Sequence, residues 1–270
     1  MFLSIVIPAY NESENIISVL EELQNTIKTL SEVNEFEIIV VDDHSSDNTY
    51  DVISRYGETK NNSKSIRLTR RSGSHTALRA GLAHAKGDAV LCISADGQDN
   101  PNDLKEMIDK IEKGNQIVWA LRQNRDESFF SKLFSIFFYK LLRWITGNEI
   151  PQINLANADF FLLSKKVVNA VNQCPERNTS LFGLLIWLGF QQDYIIYERR
   201  KRKAGNSKWN FRSRMRLAKD WVIAFSGMPL KLMSVAGLII AAIGFMYAIF
   251  ILVYSLLGYA KPGWAEMAIL

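Results

Sequence analysis

The sequence predicts an α/β domain with a mainly parallel, Rossmann-like sheet flanked by helices, then C-terminal amphipathic helices and a transmembrane helix. Three observations carry this. Short β-branched runs alternate with helical patterns as far as residue 120, the pattern of parallel strands joined by crossover helices. Polar clusters fall where those strands end, at Tyr10 to Glu12, Asp42 with Asp43, and Asp96. Finally, no charged residue stands between Lys231 and Lys261, a run longer than the ~20 residues that cross a bilayer core.

The elements follow in order. Strands are predicted at Leu3–Ile7, Glu37–Val41, Ser65–Leu68, Ala89–Ile93 and Ile117–Ala120, each a short apolar or β-branched run. Helices are predicted at Glu14–Leu30, Asp47–Tyr56, Ser74–Ala85 and Asn102–Glu112. The last three open on Asp, Ser or Asn, whose side chains accept bonds from the first free N–H groups. In such a sheet the ligand crevice lies beyond the carboxyl ends of the strands. Ser128 to Thr146 reads as a very aromatic helix, suited to a core or to a membrane interface. Arg214 to Phe225 is a second amphipathic stretch. The predicted divisions are a domain over 1–210, a juxtamembrane segment over 211–229 and a membrane helix over 230–260. The apolar character that resumes after Gly263 reads as a second membrane segment over 261–270, truncated at Leu270.

Charge is unevenly placed. The chain of 270 residues carries a net +4. Ten Lys and Arg with no Asp or Glu lie between Arg199 and Lys219, so the remainder is net negative. A basic block beside a membrane segment places the preceding domain in the cytoplasm by the loop-charge bias. It also suits phosphates or anionic headgroups. No nucleic-acid-binding motif accompanies it. Cys92 and Cys174 match no disulfide or metal spacing, and His44, His75 and His84 lack the companions of a zinc site. The N-terminus has no basic start and meets Pro8 and Asn11 early, unlike a signal peptide.

The segments Ile5-Val-Ile-Pro8-Ala-Tyr10-Asn-Glu12, Asp42-Asp43-His-Ser-Ser-Asp47, Leu68-Thr-Arg70-Arg71-Ser-Gly73, Ser94-Ala95-Asp96-Gly-Gln98-Asp99, Ala158-Asp159-Phe160 and Arg199 to Trp209, in that order, strongly resemble the family-two nucleotide-sugar glycosyltransferases of GT-A fold. The subgroup most similar is that of the polyprenyl-phosphate sugar transferases, the bactoprenol glucosyltransferases and dolichyl-phosphate mannose synthases. The resemblance implies a nucleotide-sugar donor, expected to be a UDP-sugar, contacted by Pro8, Tyr10, Glu12, Asp42, Asp43, Arg70, Ser94 and Ala95. It implies Mg²⁺ or Mn²⁺ on Asp96 and Gln98, since a hard cation on oxygen ligands neutralises the departing diphosphate. It makes Asp159 the candidate base of an inverting displacement, with Asp96 beside it in the catalytic set. It assigns phosphate and acceptor binding to Arg199, Arg202, Ser207 and Lys208, with Gly205 letting the loop turn and Trp209 suited to the lipid interface or to a stack over the donor. Arg122, just past the strand that ends near Ala120, is a secondary candidate by its position, and Arg125 is another. The implied acceptor is a polyprenyl phosphate, undecaprenyl phosphate, in the membrane.

Several positions depart from the family pattern. Ser94 stands where relatives usually carry a carboxylate, which weakens cation binding unless Asp99 compensates. Ser74 stands in place of Lys, Phe161 in place of Arg, and the Arg expected at Ser180 to Phe182 is absent. Two other readings therefore stand beside the lipid transferase: transfer to a polysaccharide acceptor, and a catalytically silent nucleotide-binding membrane module. Packing through the aromatic helix or the membrane span would make a homo-oligomer, though no periodicity specifies one.

Overall fold

The computed structural model describes residues 1–122, 160–175, 180–200 and 228–259. Seven strands form one sheet: β1 (Phe2–Ala9), β2 (Glu35–Asp42), β3 (Ser63–Arg67), β4 (Ala89–Cys92), β5 (Ile117–Arg122), β6 (Phe160–Ser164) and β7 (Gln192–Tyr197). Their order across the sheet is β3-β2-β1-β4-β6-β5-β7. Six strands run in one direction, and β6 alone is antiparallel to its neighbours β4 and β5. All five strands read from the sequence are present, each within two residues of its expected ends. The last two strands lie beyond the point where the alternation was legible.

The central strands are buried on both faces, which is why they read as continuous apolar runs rather than alternating ones. Leu3, Ile5, Val6 and Ile7 of β1 and Ile38 and Ile39 of β2 are fully enclosed. Helices α1 (Ile16–Ile27), α2 (Thr49–Thr59), α3 (Ser74–His84) and α4 (Leu104–Glu112) cover the sheet. In α1 the buried stripe Ile16, Val19, Leu20, Leu23 and Ile27 repeats at three and four residues, one face of the helix. Two further helices, α5 (Lys165–Gln173) and α6 (Leu181–Trp187), follow β6.

The helix starts differ from the expected caps in an informative way. Asp47 lies ahead of α2, yet its Oδ1 accepts from the Thr49 N–H at 3.0 Å, so it still supplies an early donor. Helix α3 does begin at Ser74, but no side-chain cap bond forms and Gly73 precedes it with φ +92°. Asn102 is a donor rather than a cap: its N–H bonds the Asn100 side chain at 3.2 Å, opening a short 3-10 turn, Pro101–Asp103, ahead of α4.

The chain divides into two units, Met1–Ala224 and Phe225–Leu270. The second contains α7 (Met228–Leu256), whose stretch Met233–Leu256, 24 residues, is long and apolar enough to cross a membrane. The helix begins slightly before the expected 230, with Pro229 in its first turn, where a missing N–H is harmless. It stops short of 260, ahead of Gly258 at φ +79°, a conformation that favours glycine at a helix end. The aromatic stretch 128–146 and the amphipathic stretch 214–225 lie outside the described residues.

Candidate active site

Register places the predicted polar clusters along one edge. Ala9 pairs with Asp42, and Val6 with Cys92, so Tyr10 to Glu12, Asp42 with Asp43, and Ser94 to Asp99 all emerge from the carboxyl ends of β1, β2 and β4. Residue 122 and Tyr197, paired at the ends of β5 and β7, reach the same edge.

Around β1 and β2 the two acidic residues have different jobs. Asp42 is fully buried; its Oδ1 accepts from the Ser45 N–H at 3.0 Å, and Arg67 Nε lies 3.3 Å from Oδ2. Asp43 accepts from two successive backbone N–H groups, Ser72 at 2.6 Å and Gly73 at 2.8 Å. Burial pushes its carboxyl above the ordinary range, with the two N–H donors and Arg71 opposing and Asp42 assisting. It therefore holds the β3–α3 turn in place at the edge. Asn11 and His44, both at positive φ near +55°, shape the two adjoining loops. The Asn11 Oδ1 accepts from the Ser46 N–H at 2.8 Å, stitching those loops together. Non-glycine residues in the left-handed region cluster at functional sites. Glu12 is buried, its N–H bonded to Thr49 Oγ1 at 2.9 Å, and the Arg71 guanidinium sits 4.1 Å over the Tyr10 ring. Pro8 is half-buried in β1, and Arg70 is exposed in the turn between its neighbours Arg67 and Arg71.

The second half of the site is a hydrogen-bonded chain across β4 and β7. The Ser94 hydroxyl lies 2.8 Å from Asp96 Oδ1 and 2.5 Å from Asp99 Oδ2. The Ser94 N–H also donates to that Asp99 oxygen at 3.2 Å, and the Tyr197 hydroxyl donates to the other at 2.7 Å. Asp99 is thus committed to bracing the loop, with Arg122 bonded to the same Tyr197. Burial first, and the Asp99 carboxylate second, raise the Tyr197 phenol and keep it a donor. Asp96 Oδ1 also accepts from the Gln98 N–H at 3.1 Å, and its Oδ2 lies 3.3 Å from Arg199 Nη2. Gln98 and Arg200 bond reciprocally: the Arg200 N–H to the Gln98 carbonyl at 2.9 Å, and Gln98 Nε2 to the Arg200 carbonyl at 3.1 Å. The Arg200 guanidinium engages Glu22 of α1 and Asn100. Ala95 is buried within this loop.

The structure thus brings Ser94, Ala95, Asp96, Gln98, Arg122 and Arg199 into one connected region. Asp159, Arg125, Arg202, Gly205, Ser207, Lys208 and Trp209 lie outside the described residues. Sequence reasoning passed over Tyr197, Arg67, Ser72 and Arg200. Alternation in β7, with Ile195 and Tyr197 inside and Tyr194 and Ile196 outside, is the signal that marks Tyr197 as inward. The oxygen-only set of the Asp96 carboxylate, Ser94 hydroxyl and Gln98 amide carbonyl suits a hard divalent cation. Among the described residues no cluster of three His, Cys, Asp or Glu forms a cation site, so this set would need phosphate oxygens to complete it.

The departures at Phe161 and Phe182, and beside Ser74, converge in space. Phe161 is fully buried, 5.2 Å from the Trp119 ring and 5.6 Å from Phe182, and Phe182 stacks edge-on to His75 at 4.8 Å. An unpaired arginine at a fully enclosed position is costly; here an aromatic cluster fills the space. Enclosure among these rings pushes the His75 imidazole down to about 4, although part of the residue still reaches solvent.

The sequence pattern described as "Glycosyl transferase family 2" matches residues 4–168. The chain belongs to this family. As a glycosyltransferase it is 36% identical over 269 residues to an uncharacterized glycosyltransferase of Synechocystis sp., covering 99% of this chain and 83% of the relative. It is 34% identical to the bactoprenol glucosyl transferase of Shigella phage SfV, over 95% of this chain and 82% of that protein. In fold, the glycosyltransferase is similar to mannosyl-3-phosphoglycerate synthase from Rubrobacter xylanophilus, with TM-score 0.60 at 18% identity over 83% of this chain and 73% of that one. Glucosyl-3-phosphoglycerate synthase from Mycobacterium tuberculosis, solved with Mn²⁺ and UDP-glucose, superposes with TM-score 0.56 at 18% identity over 84% and 79% of the two chains.

Proposed function

We propose that this glycosyltransferase moves a sugar, with inversion, from a nucleotide sugar to a polyprenyl phosphate at the cytoplasmic face of a membrane, and that the donor is a UDP-sugar. The observation that carries the reading is the direct tie between the Asp96 loop and the basic stretch, Asp96 to Arg199 at 3.3 Å and Gln98 to Arg200 through two hydrogen bonds. It sets a carboxylate suited to a cation beside the Arg199 guanidinium, which suits phosphate, at the edge where the family binds its donor. The bactoprenol glucosyl transferase relatives support the lipid acceptor, and the apolar helix Met233–Leu256 supports attachment to the membrane that holds it. The ten basic residues ahead of that helix support a cytoplasmic catalytic domain.

Within this reading each residue has a role. The edge formed by Tyr10, Glu12, Asp42 and Asp43 receives the nucleoside, with Asp43 fixing the Ser72–Gly73 turn against it. Asp96, Ser94 and Gln98 would hold Mg²⁺ or Mn²⁺. Bound there, the cation supplies charge neutralisation on the leaving diphosphate. Arg199, with Arg202, Ser207 and Lys208, receives phosphate; charge-assisted guanidinium bonds suit that acceptor. The acceptor phosphate monoester, with a second pKa of ~6, is largely ionised at neutral pH and needs little deprotonation. Asp159 then orients the acceptor or stabilises the charge that develops at the anomeric carbon.

The test is a product assay. Membrane-embedded protein is incubated with undecaprenyl phosphate, Mn²⁺ or Mg²⁺ and a panel of nucleotide sugars, and the lipid is read by mass spectrometry. A lipid that gains one sugar without an added phosphate is expected, with loss of the product in Asp96→Ala. Donor binding with no lipid product from any donor would replace this reading with the silent nucleotide-binding module.

A further inference from the structure

We infer that Arg199 is the internal counter-ion of Asp96, occupying the cation's electrostatic place until cation and diphosphate arrive together, whereupon its guanidinium transfers to the phosphate. The inference rests on the transferase reading above and adds the order in which the site is charged.

Three observations carry it. Arg199 Nη2 lies 3.3 Å from Asp96 Oδ2, with side chains only 26% and 13% exposed. Arg199 Nε is buried without a hydrogen-bond partner, an uncommon state for a guanidinium nitrogen and one an incoming phosphate oxygen would relieve. The backbone on either side is pinned: Tyr197 by β7 and its bond to Asp99, and Arg200 by Gln98, Glu22 and Asn100. The loop base therefore stays fixed, and the exchange is a side-chain swing between two anions.

The chemistry makes the two arrivals interdependent. A guanidinium keeps its charge at any pH a protein survives, so a divalent cation approaching alone meets a carboxylate already neutralised. It must displace Arg199 into a position with no acceptor. A diphosphate supplies that acceptor, in the planar two-point geometry arginine favours. Ser94 sharpens the dependence, because a hydroxyl in place of a second carboxylate leaves the cation few protein ligands.

The experiment measures Mn²⁺ binding to full-length, detergent-solubilised protein without nucleotide, by the paramagnetic resonance signal of free Mn²⁺. Arg199→Gln should bind Mn²⁺ about three- to tenfold more tightly than wild type, the span of a partly buried ion pair. Arg200→Gln removes the same charge one residue away, but from Glu22 and Asn100, and should leave affinity within about twofold. Arg199→Lys, which retains the counter-charge, should also stay near wild type. In a metal-free solution with EDTA, Asp96→Asn should bind inorganic pyrophosphate more tightly than wild type, because Arg199 is released. A gain of binding cannot come from misfolding. Unchanged or weakened Mn²⁺ affinity in Arg199→Gln, or an equal gain in Arg200→Gln, would overturn the exchange. Wild-type protein that takes up no Mn²⁺ even with UDP present would instead remove the metal-assisted reading itself.

Discussion

Replacing Asp43 by Asn tests how the turn at the proposed nucleotide edge is held. Both carboxylate oxygens accept backbone N–H groups, Ser72 at 2.6 Å and Gly73 at 2.8 Å, and the residue is only 4% exposed. An amide offers one oxygen, so one N–H keeps a neutral bond and the other faces an –NH₂. A hydrogen bond to a charged acceptor is worth about 1.5–3 kcal/mol and a neutral one about 1 kcal/mol, while a buried unsatisfied donor costs about 1–3 kcal/mol. Relief of the buried charge works the other way. Burial is the largest influence on the Asp43 carboxyl and the two N–H groups offset only part of it, so the net loss falls toward the low end of these costs. A net loss of about 1.5 kcal/mol follows, which lowers the melting temperature of a domain this size by about 5 °C. Fluorescence-detected melting of the solubilised protein at neutral pH reads the shift directly. The raised Asp43 pKa adds a sign: its stabilising contribution is full below the ordinary 3.8 and lost as pH rises through the raised value. Wild type should therefore gain on the variant as the buffer is made acidic. A melting temperature equal to or above wild type at neutral pH would refute the two-acceptor argument.

Three further outcomes are expected. Ser94→Asp places a third carboxylate beside Asp96 and Asp99, so the melting temperature should drop by several degrees in EDTA and recover with Mn²⁺, as seen by melting with and without the ion. Gly87→Ala drives a methyl to 2.5 Å from the Ser4 backbone N and 2.8 Å from two carbonyl oxygens, atoms that cannot swing aside, and should cost about 3 kcal/mol or abolish soluble expression. His75 has its imidazole held near 4, below the ordinary 6.5, so its contribution to stability is full above 6.5 and lost as pH falls toward 4; His75→Phe should flatten that decline in melts run at pH 7 and 5.

The sequence made the first half of the fold legible because alternation there is strict and both sheet faces are apolar. Strands β1 to β5 and the polar residues at their ends could be placed by pattern alone. The remainder resisted for a physical reason. Strand β6 runs against the others and follows a long interval, so no β–α–β rhythm announces it, and β7 shows half-alternation typical of an edge. Site residues on the predicted strand ends were found; those that act by holding other residues were not. Tyr197 sits almost a hundred positions from the Asp99 it serves, and Arg67 reached Asp42 where the arginine-rich turn had directed attention to Arg70. The departures at Phe161 and Phe182 read as isolated losses in one dimension, and only packing shows that they share a single cluster with Trp119 and His75.

The reversed strand has a consequence for how such enzymes diversify. Strand β5 leaves the sheet at Arg122, and β6 enters it at Phe160, opposite Ala120. The interval 123–158, short of Asp159, therefore departs from and returns to adjoining points on the sheet edge. A peptide hung between neighbouring anchors can be lengthened, shortened or exchanged at little entropic penalty, since closure cost grows only slowly with length. Neither the register of the sheet nor the braces at Asp43 and Asp99 need change when it is swapped. Evolution, or a designer building chimeras between relatives, can revise that cassette while leaving the edge formed by β1, β2 and β4 untouched.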